Sequence, residues 1–194
     1  MTETTFRFRG EQHTYLDDPY NTTRLNERAV EVPIAAAFLD RQPIRSVGLE
    51  VGNVLSHYRP GSHRVVDRHE QAPGVENLDV FDIVGAYDWI VAVSTLEHVR
   101  WDETPREPDG AAQALSHLRS LLTPDGRLLL THPFGWHPFF DAHLLELHAG
   151  GALGDARTLV RSGTGWIETL DVTPKPYAAT TRWAESVLIA EMGA

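Results

Sequence analysis

Two apolar runs constrain the fold more than any other feature of this chain. Trp89–Val93 and Leu128–Leu130 are apolar without the alternation of a strand that has one face in water. Such runs are typical of parallel strands that are covered on both faces. Between them, Ala111–Leu122 has the spacing of an amphipathic helix, closed by the turn residues Thr123–Gly126. The pattern therefore predicts a βαβ crossover in a central parallel sheet.

Further elements continue this alternation along the chain. Leu25–Leu39 has helix formers and an apolar stripe, and Pro33 predicts either an interruption or the true start of that helix. Phe139–Leu147 is a second helix candidate. The additional strand candidates are Ser46–Val51, Arg64–Asp67, Trp166–Val172 and Ser186–Ala190. Alternating strands and helices followed by a strand pair predict a doubly wound α/β sheet with an antiparallel edge.

Length and composition narrow the class of protein. A chain of 194 residues fits a single domain, 1–194, in which residues 1–40 form an N-terminal arm and helix that could act as a lid. The absence of cysteine excludes disulfides and thiolate chemistry. A formal charge of −10 opposes binding to nucleic acid. No apolar run is long enough to cross a membrane and the N-terminus lacks a signal peptide, so we expect a cytoplasmic protein.

Polar residues at the ends of the predicted strands suggest a ligand site, because ligands of open α/β sheets bind at the carboxyl ends of the strands. Gly52 would allow close backbone approach, and Glu50 could accept from a charged amine or an ordered water. Asp67 could accept both hydroxyls of a ribose. Asp79 could accept from the exocyclic amine of an adenine, with Val80 beside the ring. Each also has an ordinary interpretation as a turn or strand-end residue.

A nicotinamide dinucleotide is the first alternative ligand. Its fingerprint is G-x-G-x-x-G, but Gly52–His57 contains one of the three glycines. A pyrophosphate cradle is therefore poorly supported. S-adenosylmethionine carries no phosphate, so its pocket does not need a glycine-rich anion loop.

The ordered motifs resemble those of class I S-adenosylmethionine-dependent methyltransferases. They are Leu49–Gly52, Asp67, Tyr87–Val99 and Leu121–Thr131, with Ser94–His98 and Leu122–Gly126 the most specific parts. The segment Tyr20–Glu31 is also similar to the leader of a small subgroup of these enzymes. The glycine-rich loop of the family is reduced here to one glycine.

The resemblance implies a fold and a set of cofactor contacts. The fold would be a Rossmann-like three-layer sandwich with a mostly parallel seven-stranded sheet and a reversed edge strand, binding S-adenosylmethionine across the ends of strands one and four. The implied contacts are Glu50, Gly52 and Asn53 for the methionine side, Asp67 for the ribose, Asp79 with Val80 for the adenine, and Ser94 with Thr95 closing the pocket.

Candidate catalytic residues follow the fourth and fifth predicted strands. His98 could take a proton from an acceptor hydroxyl, although it could also orient its loop or cap a helix. Thr131–His143 is dense in aromatic and imidazole groups and predicts an acceptor-binding wall, with His132 a second catalytic candidate and His137 a substrate-binding one. His132, His137 and Asp141 could alternatively hold a metal, but their spacing matches no compact signature, so no metal is expected.

The N-terminal segment offers two further candidates. Tyr20 could contact the substrate, and Arg28 could pair with the cofactor carboxylate as part of a lid. Alternatively, Arg28 and Glu31 form an ion pair on a solvated helix.

These observations predict an enzyme, an S-adenosylmethionine-dependent methyltransferase. Its partner would be a small hydroxylated acceptor of the sugar or natural-product type, with O-methylation favoured. The alternative is a non-catalytic module of the same fold used for binding or assembly. An open cleft beside Gly52 favours the enzyme, whereas Leu55 or Tyr58 filling that cleft favours the module. A homodimer is left open.

Overall fold

The computed structural model describes residues 4–172, 174–175, 177 and 183–194. Its strands are β1 (Thr5–Phe8), β2 (Glu11–Thr14), β3 (Gly48–Val51), β4 (Arg64–Val66), β5 (Val75–Glu76), β6 (Tyr87–Val93), β7 (Leu122–Pro133), β8 (Asp155–Ser162), β9 (Gly165–Thr169) and β10 (Ser186–Gly193). Its α-helices are α1 (Arg28–Asp40), α2 (Gly110–Ser120) and α3 (Pro138–Ala149). Short 3₁₀ turns cover Tyr20–Leu25, Leu55–His57, Val80–Asp82 and Leu96–His98.

The main sheet has the order β5-β4-β3-β6-β7-β10-β8-β9, and β1 pairs with β2 in a separate hairpin. Strands β5, β4, β3, β6 and β7 are mutually parallel, whereas β10 is antiparallel to both of its neighbours and β9 is antiparallel to β8. The predicted α/β fold with a mostly parallel sheet and an antiparallel edge is confirmed. The sheet has eight strands where seven were predicted, because β9 adds a strand at the edge.

Apolar residues cover both faces of this sheet and make three layers. On one face, α2 and α3 contribute Ala114, Leu118 and Leu144 to the core. On the other, α1 packs Val30 and Phe38 together with the β1–β2 hairpin. The unbroken apolar runs of β6 and β7 follow from this double coverage. Among the helices of the described residues, none combines the length and the apolar character needed to cross a membrane.

Three local predictions need correction. The residues Thr123–Gly126, predicted as a turn that closes the preceding helix, belong to β7, which begins at Leu122. Helix α1 begins at Arg28 and runs through Pro33, which neither starts nor interrupts it. Proline removes the N–H that would bond the carbonyl of Ala29. That carbonyl instead accepts from the backbone N–H of Leu16 at 3.0 Å, so the helix loses no partner there. Strand β8 was not predicted, and the predicted strand Trp166–Val172 is found as β9, shifted toward the N-terminus.

The connection from β3 to β4 positions the candidate site. It contains only the 3₁₀ turn Leu55–His57 instead of a full crossover helix, as the short spacing between the first two predicted strands suggests. In the sheet, β3 lies between β4 and β6, so the order of the strands reverses beside it. A crevice at the carboxyl end of such a reversal is the usual ligand site of an open α/β sheet.

Candidate functional site

A cavity of about 640 Å³ opens at the carboxyl ends of β3, β4 and β6. This volume lies within the range of small-molecule sites, roughly 300–1,000 Å³. The predicted site residues that line it are Tyr20, Arg28, Gly52, Asn53, Asp67, Asp79, Val80, Ser94, Thr95 and His98. The structure therefore brings together residues from the N-terminal segment and from four separate strand ends. Glu50, His132 and His137 lie outside this lining.

Gly52 joins β3 to the wall of the cavity in a conformation that favours glycine. Its φ is +84°, and a Cβ at this position would lie 2.2 Å from Oγ1 of Thr95. Thr95 is itself held, because its hydroxyl donates to the carbonyl of Val93 at 2.9 Å. The backbone N–H of Gly52 donates to the carbonyl of Val66 at 2.8 Å. The single glycine of the loop thus lets the ends of β3 and β6 approach closely.

Asp67 follows β4 and anchors the loops around the cavity. Its Oδ2 accepts from the backbone N–H of Asn53 at 3.0 Å, and its Oδ1 accepts from those of His69 and Glu70 at 2.8 and 2.7 Å. Burial raises the pKa of Asp67, but the three N–H donors outweigh it and hold the pKa below its usual value. A carboxylate has about four acceptor positions, so Asp67 can still accept from a ligand hydroxyl.

Asp79 lines the cavity but is already engaged by two arginines. Its Oδ1 accepts from the backbone N–H of Phe81 and caps the turn Val80–Asp82. Its Oδ2 pairs with Arg100 at 2.8 Å and with Arg68 at 3.0 Å. An adenine amine would therefore share this carboxylate with two guanidinium groups.

Glu50 lies behind the cavity wall, buried at the end of β3. Its Oε1 accepts from the backbone N–H groups of Val54 and Leu55 at 2.8 and 2.6 Å. Its Oε2 contacts Nε2 of His63 at 2.9 Å. Because the 3₁₀ turn after β3 points its first amides back at the strand, Glu50 supports the loop from inside and does not face a ligand.

One interpretation of the sequence placed Glu31 in an ion pair on a solvated helix. The structure confirms the ion pair but not the exposure to solvent. The pair with Arg28 forms at 2.9 Å, but Glu31 is fully buried. Its Oε1 accepts from the hydroxyls of Ser94 and Thr131 at 2.5 and 2.7 Å. Arg28 also donates to the carbonyl of Val93 at 3.2 Å. Helix α1 is therefore tied through Glu31 to the carboxyl ends of β6 and β7.

A small polar cluster crosses the mouth of the cavity. The ring of Tyr20 stacks on that of His57, with centroids 4.5 Å apart. Nε2 of His57 lies 2.9 Å from Oε1 of Glu70, which also accepts from Nδ2 of Asn53 at 2.8 Å. The cluster links the N-terminal segment to the loops after β3 and β4. His57 and Glu70 were not predicted as site residues, because their partners come from different loops.

The two candidate catalytic histidines occupy contrasting environments. His98 is about half exposed, lines the cavity, and has Nδ1 at 2.7 Å from Oδ2 of Asp102. Asp102 was not predicted, although its position four residues after His98 was an available signal. His132 is fully buried, with Nε2 at 2.6 Å from Oδ1 of Asp141. Of the two, His98 alone lines the cavity.

His137 caps helix α3 and is buried. Its Nδ1 accepts from the backbone N–H of Phe140 at 3.1 Å, and its ring stacks on Trp101 with centroids 4.2 Å apart. The exposed aromatic residues of the predicted acceptor wall are Trp136 and Phe139. Within the described ranges, no group of three His, Asp or Glu side chains is placed to hold a metal ion.

Comparison with protein-family models gives no match, and neither does comparison with curated protein sequences. Among solved structures, the chain is similar to the N-methyltransferase NodS from Bradyrhizobium japonicum WM9 in complex with S-adenosyl-L-homocysteine. The identity is 15%, the TM-score is 0.48, and 91% of this chain and 88% of that chain are covered.

Two other solved structures are similar to a comparable degree. One is magnesium protoporphyrin IX methyltransferase (ChlM) from Synechocystis PCC 6803 with bound S-adenosylmethionine, at 14% identity and a TM-score of 0.45, covering 83% of this chain and 76% of that chain. The other is precorrin 8w decarboxylase from Methanobacterium thermoautotrophicum, at 15% identity and a TM-score of 0.46, covering 86% of this chain and 91% of that chain.

Proposed function

We propose that this protein is an S-adenosylmethionine-dependent methyltransferase that binds its cofactor in the cavity beside Gly52. The observation that carries the proposal is that this cleft is open. Leu55, one of the two residues that could have filled it, is buried in the core beneath α1, and Tyr58 stands in the cavity wall. This arrangement supports an enzyme over a non-catalytic module.

The charge of the cavity lining supports a cationic ligand over a phosphate-bearing one. Five carboxylates line it, against two guanidinium groups. The carboxylates are Asp67, Glu70, Asp79, Asp102 and Glu103, and the guanidinium groups are Arg28 and Arg68. Negative potential in a cleft attracts positive ligands and repels phosphates. A sulfonium cofactor without phosphate suits this lining better than a dinucleotide does.

The residues present suit the parts of this cofactor. Asp67 keeps acceptor capacity for a ribose hydroxyl. Val80, an apolar residue of the lining, suits the adenine ring. Gly52 contributes backbone to the lining of the cavity, and Arg28, held by Glu31, would pair with the carboxylate of the methionine part.

Bound S-adenosylmethionine supplies a methyl group on positively charged sulfur, so the chain itself must orient the acceptor, exclude water and remove any proton that the acceptor loses. We assign the removal of this proton to His98, because His98 lines the cavity and its Nδ1 contacts Asp102. With the Nδ1 proton directed at that carboxylate, the lone pair of Nε2 can accept the proton of a hydroxyl. This supports O-methylation of a small hydroxylated acceptor.

Calorimetry with the purified full-length chain tests the cofactor. We expect the protein to bind S-adenosylmethionine and S-adenosylhomocysteine but not NADH. The control variant Glu146→Gln, on the exposed face of α3, should bind S-adenosylmethionine with unchanged affinity. If millimolar S-adenosylmethionine gives neither heat nor a thermal shift, the proposal of an enzyme is wrong and the non-catalytic binding module is the remaining function. Methyl transfer to a panel of sugars and phenols, followed by mass spectrometry, then tests the acceptor class.

A further inference from the structure

Behind the cavity, five side chains form an alternating row of carboxylates and imidazoles. Nδ1 of His98 lies 2.7 Å from Asp102, and its Nε2 lies 3.8 Å from Oε1 of Glu97. Oε2 of Glu97 lies 3.8 Å from Nδ1 of His132, whose Nε2 lies 2.6 Å from Asp141. The row runs from the half-exposed pair Asp102 and His98 to the fully buried His132. It connects the mouth of the cavity with the interior.

Glu97 is the unusual member of this row. It is 1% exposed, and neither of its oxygens has a hydrogen-bond partner among the described residues. Nδ1 of His132 is likewise buried without a partner. A buried ion without compensation is costly, so an unpaired carboxylate at this place needs a physical explanation. Each of the two 3.8 Å distances between an oxygen of Glu97 and an imidazole nitrogen is longer than a hydrogen bond, yet too short for a water molecule to lie between the two atoms. The two imidazoles are therefore the groups placed to compensate Glu97.

His132 supplies a positive charge next to Glu97. Burial lowers the pKa of His132, but the carboxylates of Asp141 and Glu97 outweigh burial and raise the pKa above its usual value. Asp141 is fixed in turn, because its Oδ2 accepts from the backbone N–H of Gly135 at 2.9 Å. Asp141 thus favours a protonated His132, which places a positive charge beside the carboxyl group of Glu97.

We propose that Glu97 is a positioning residue for methyl transfer, placed between His132 and His98 so that it orients His98 and stabilises the proton that His98 receives. This inference rests on the proposed function, because it takes His98 as the base. In the reaction the acceptor oxygen forms a bond to the methyl carbon, the carbon–sulfur bond breaks toward sulfur, and the hydroxyl proton passes to Nε2 of His98. The new N–H then has Glu97 as a nearby acceptor, while Nδ1 keeps its contact with Asp102.

Three other ionisable groups near Glu97, namely Arg28, Tyr177 and His137, keep the same charge around neutral pH. Arg28 has its pKa raised, since Glu31, Glu27 and Glu97 together outweigh the effect of its burial. Tyr177 has its pKa raised well above the usual range by burial and by the nearby glutamates. His137 has its pKa lowered by burial and by His132, so it is neutral. His132 is therefore the ionisable group next to Glu97 whose charge is controlled by the neighbouring carboxylates.

The first test uses NMR of the imidazole nitrogens in the full-length protein and needs no activity. The signals of His132 are assigned by comparison with His132→Gln. We expect His132 to titrate at lower pH in Glu97→Gln and in Asp141→Asn than in the unsubstituted protein, and at the same pH in the control Glu146→Gln on the exposed side of α3. An unchanged titration of His132 in Glu97→Gln would overturn the proposed coupling.

The second test measures methyl transfer as a function of pH. General-base catalysis contributes about 10²–10⁴-fold, so we expect His98→Gln to lower kcat at least 100-fold. Glu97→Gln should lower kcat about tenfold, leave the affinity for S-adenosylmethionine unchanged, and move the acid limb of the kcat profile to lower pH. Glu97→Asp should restore part of the rate. His132→Gln should move the acid limb in the same direction, with no further movement when combined with Glu97→Gln.

These outcomes separate the two proposals. A merely structural role for Glu97 would lower thermal stability and kcat without moving the acid limb, and that result overturns the positioning role. If the unsubstituted protein neither binds S-adenosylmethionine nor transfers methyl groups, the proposed function fails. The NMR titration of His132 then still decides whether the buried row is coupled.

Discussion

Replacing Gly52 with alanine tests the packing at the centre of the proposed site. At φ +84° an alanine carries about 1–2 kcal/mol of backbone strain. Its Cβ would also lie 2.2 Å from Oγ1 and 2.8 Å from Cγ2 of Thr95, so Thr95 must rotate. Rotation breaks its hydrogen bond to the carbonyl of Val93, worth about 1 kcal/mol, and adds about 1 kcal/mol of rotamer strain. We expect Gly52→Ala to lower the free energy of unfolding by about 3 kcal/mol.

Gly74 provides a matched control for this substitution. Its φ is +82°, and a Cβ there would have no atom within 4 Å. Gly74→Ala therefore carries the backbone strain alone, partly offset by about 0.4–1 kcal/mol from the reduced entropy of the unfolded chain. We expect it to lower the free energy of unfolding by about 1 kcal/mol. The difference between the two variants, about 2 kcal/mol, measures the contact between Gly52 and Thr95.

Urea unfolding of both variants at one pH gives the comparison. The double variant Gly52→Ala with Thr95→Ala should be more stable than the sum of the single effects predicts, because the clash is removed once Thr95 loses its branched side chain. Equal destabilisation by Gly52→Ala and Gly74→Ala, within about 0.5 kcal/mol, would refute the argument from close approach. So would additivity in the double variant.

Three further predictions address the cofactor, the buried imidazole and the mouth of the cavity. Asp67→Asn should weaken S-adenosylmethionine binding about tenfold by calorimetry, roughly 1.4 kcal/mol, and unchanged affinity would refute the ribose contact. Because the folded protein raises the pKa of His132 above 6.5, its contribution to stability is complete below pH 6.5 and is lost as the pH rises through the raised pKa. Urea unfolding between pH 6 and 9 should therefore show a smaller loss of stability in His132→Gln. Tyr20→Ala removes the stacking on His57 and should speed cofactor release about two- to tenfold in stopped-flow measurements, whereas Tyr20→Phe, which keeps the ring, should change it little.

The sequence predicts the strands of the sheet that are covered on both faces, because this burial leaves an apolar sequence pattern. The segments Trp89–Val93 of β6 and Leu128–Leu130 of β7 are continuously apolar because both faces of the sheet are covered, and this pattern can be read from the segments themselves. Strand β8 was missed because Asp155, Arg157 and Arg161 interrupt its apolar residues. Its position is set by pairing with β9 and β10, which is a tertiary property. The course of α1 through Pro33 likewise depends on Leu16, a distant partner.

The sequence also predicts which strand ends meet, but not which side chains face the cavity there. Gly52, Asp67 and Thr95 meet because parallel strands bring their carboxyl ends to one edge of the sheet. Glu50 lies at the same edge, yet its carboxylate is taken up by the first amides of the following 3₁₀ turn. Glu50 is engaged in this way because a 3₁₀ turn replaces the usual crossover helix after β3. The order of the strands alone does not predict this replacement.

The neighbouring residues Glu97 and His98 also show that the sequence does not reveal which way each side chain points, here within a single turn. Both belong to the 3₁₀ turn Leu96–His98, in which successive side chains point about 120° apart. Glu97 is consequently buried against His132, while His98 is about half exposed in the cavity. His98 was predicted as a catalytic residue from its place after a central strand. The environment of Glu97 depends on His132, near the end of β7, and on Asp141 in α3. The burial of Glu97 beside an imidazole could therefore be recognised only after the sheet had brought the ends of β6 and β7 together.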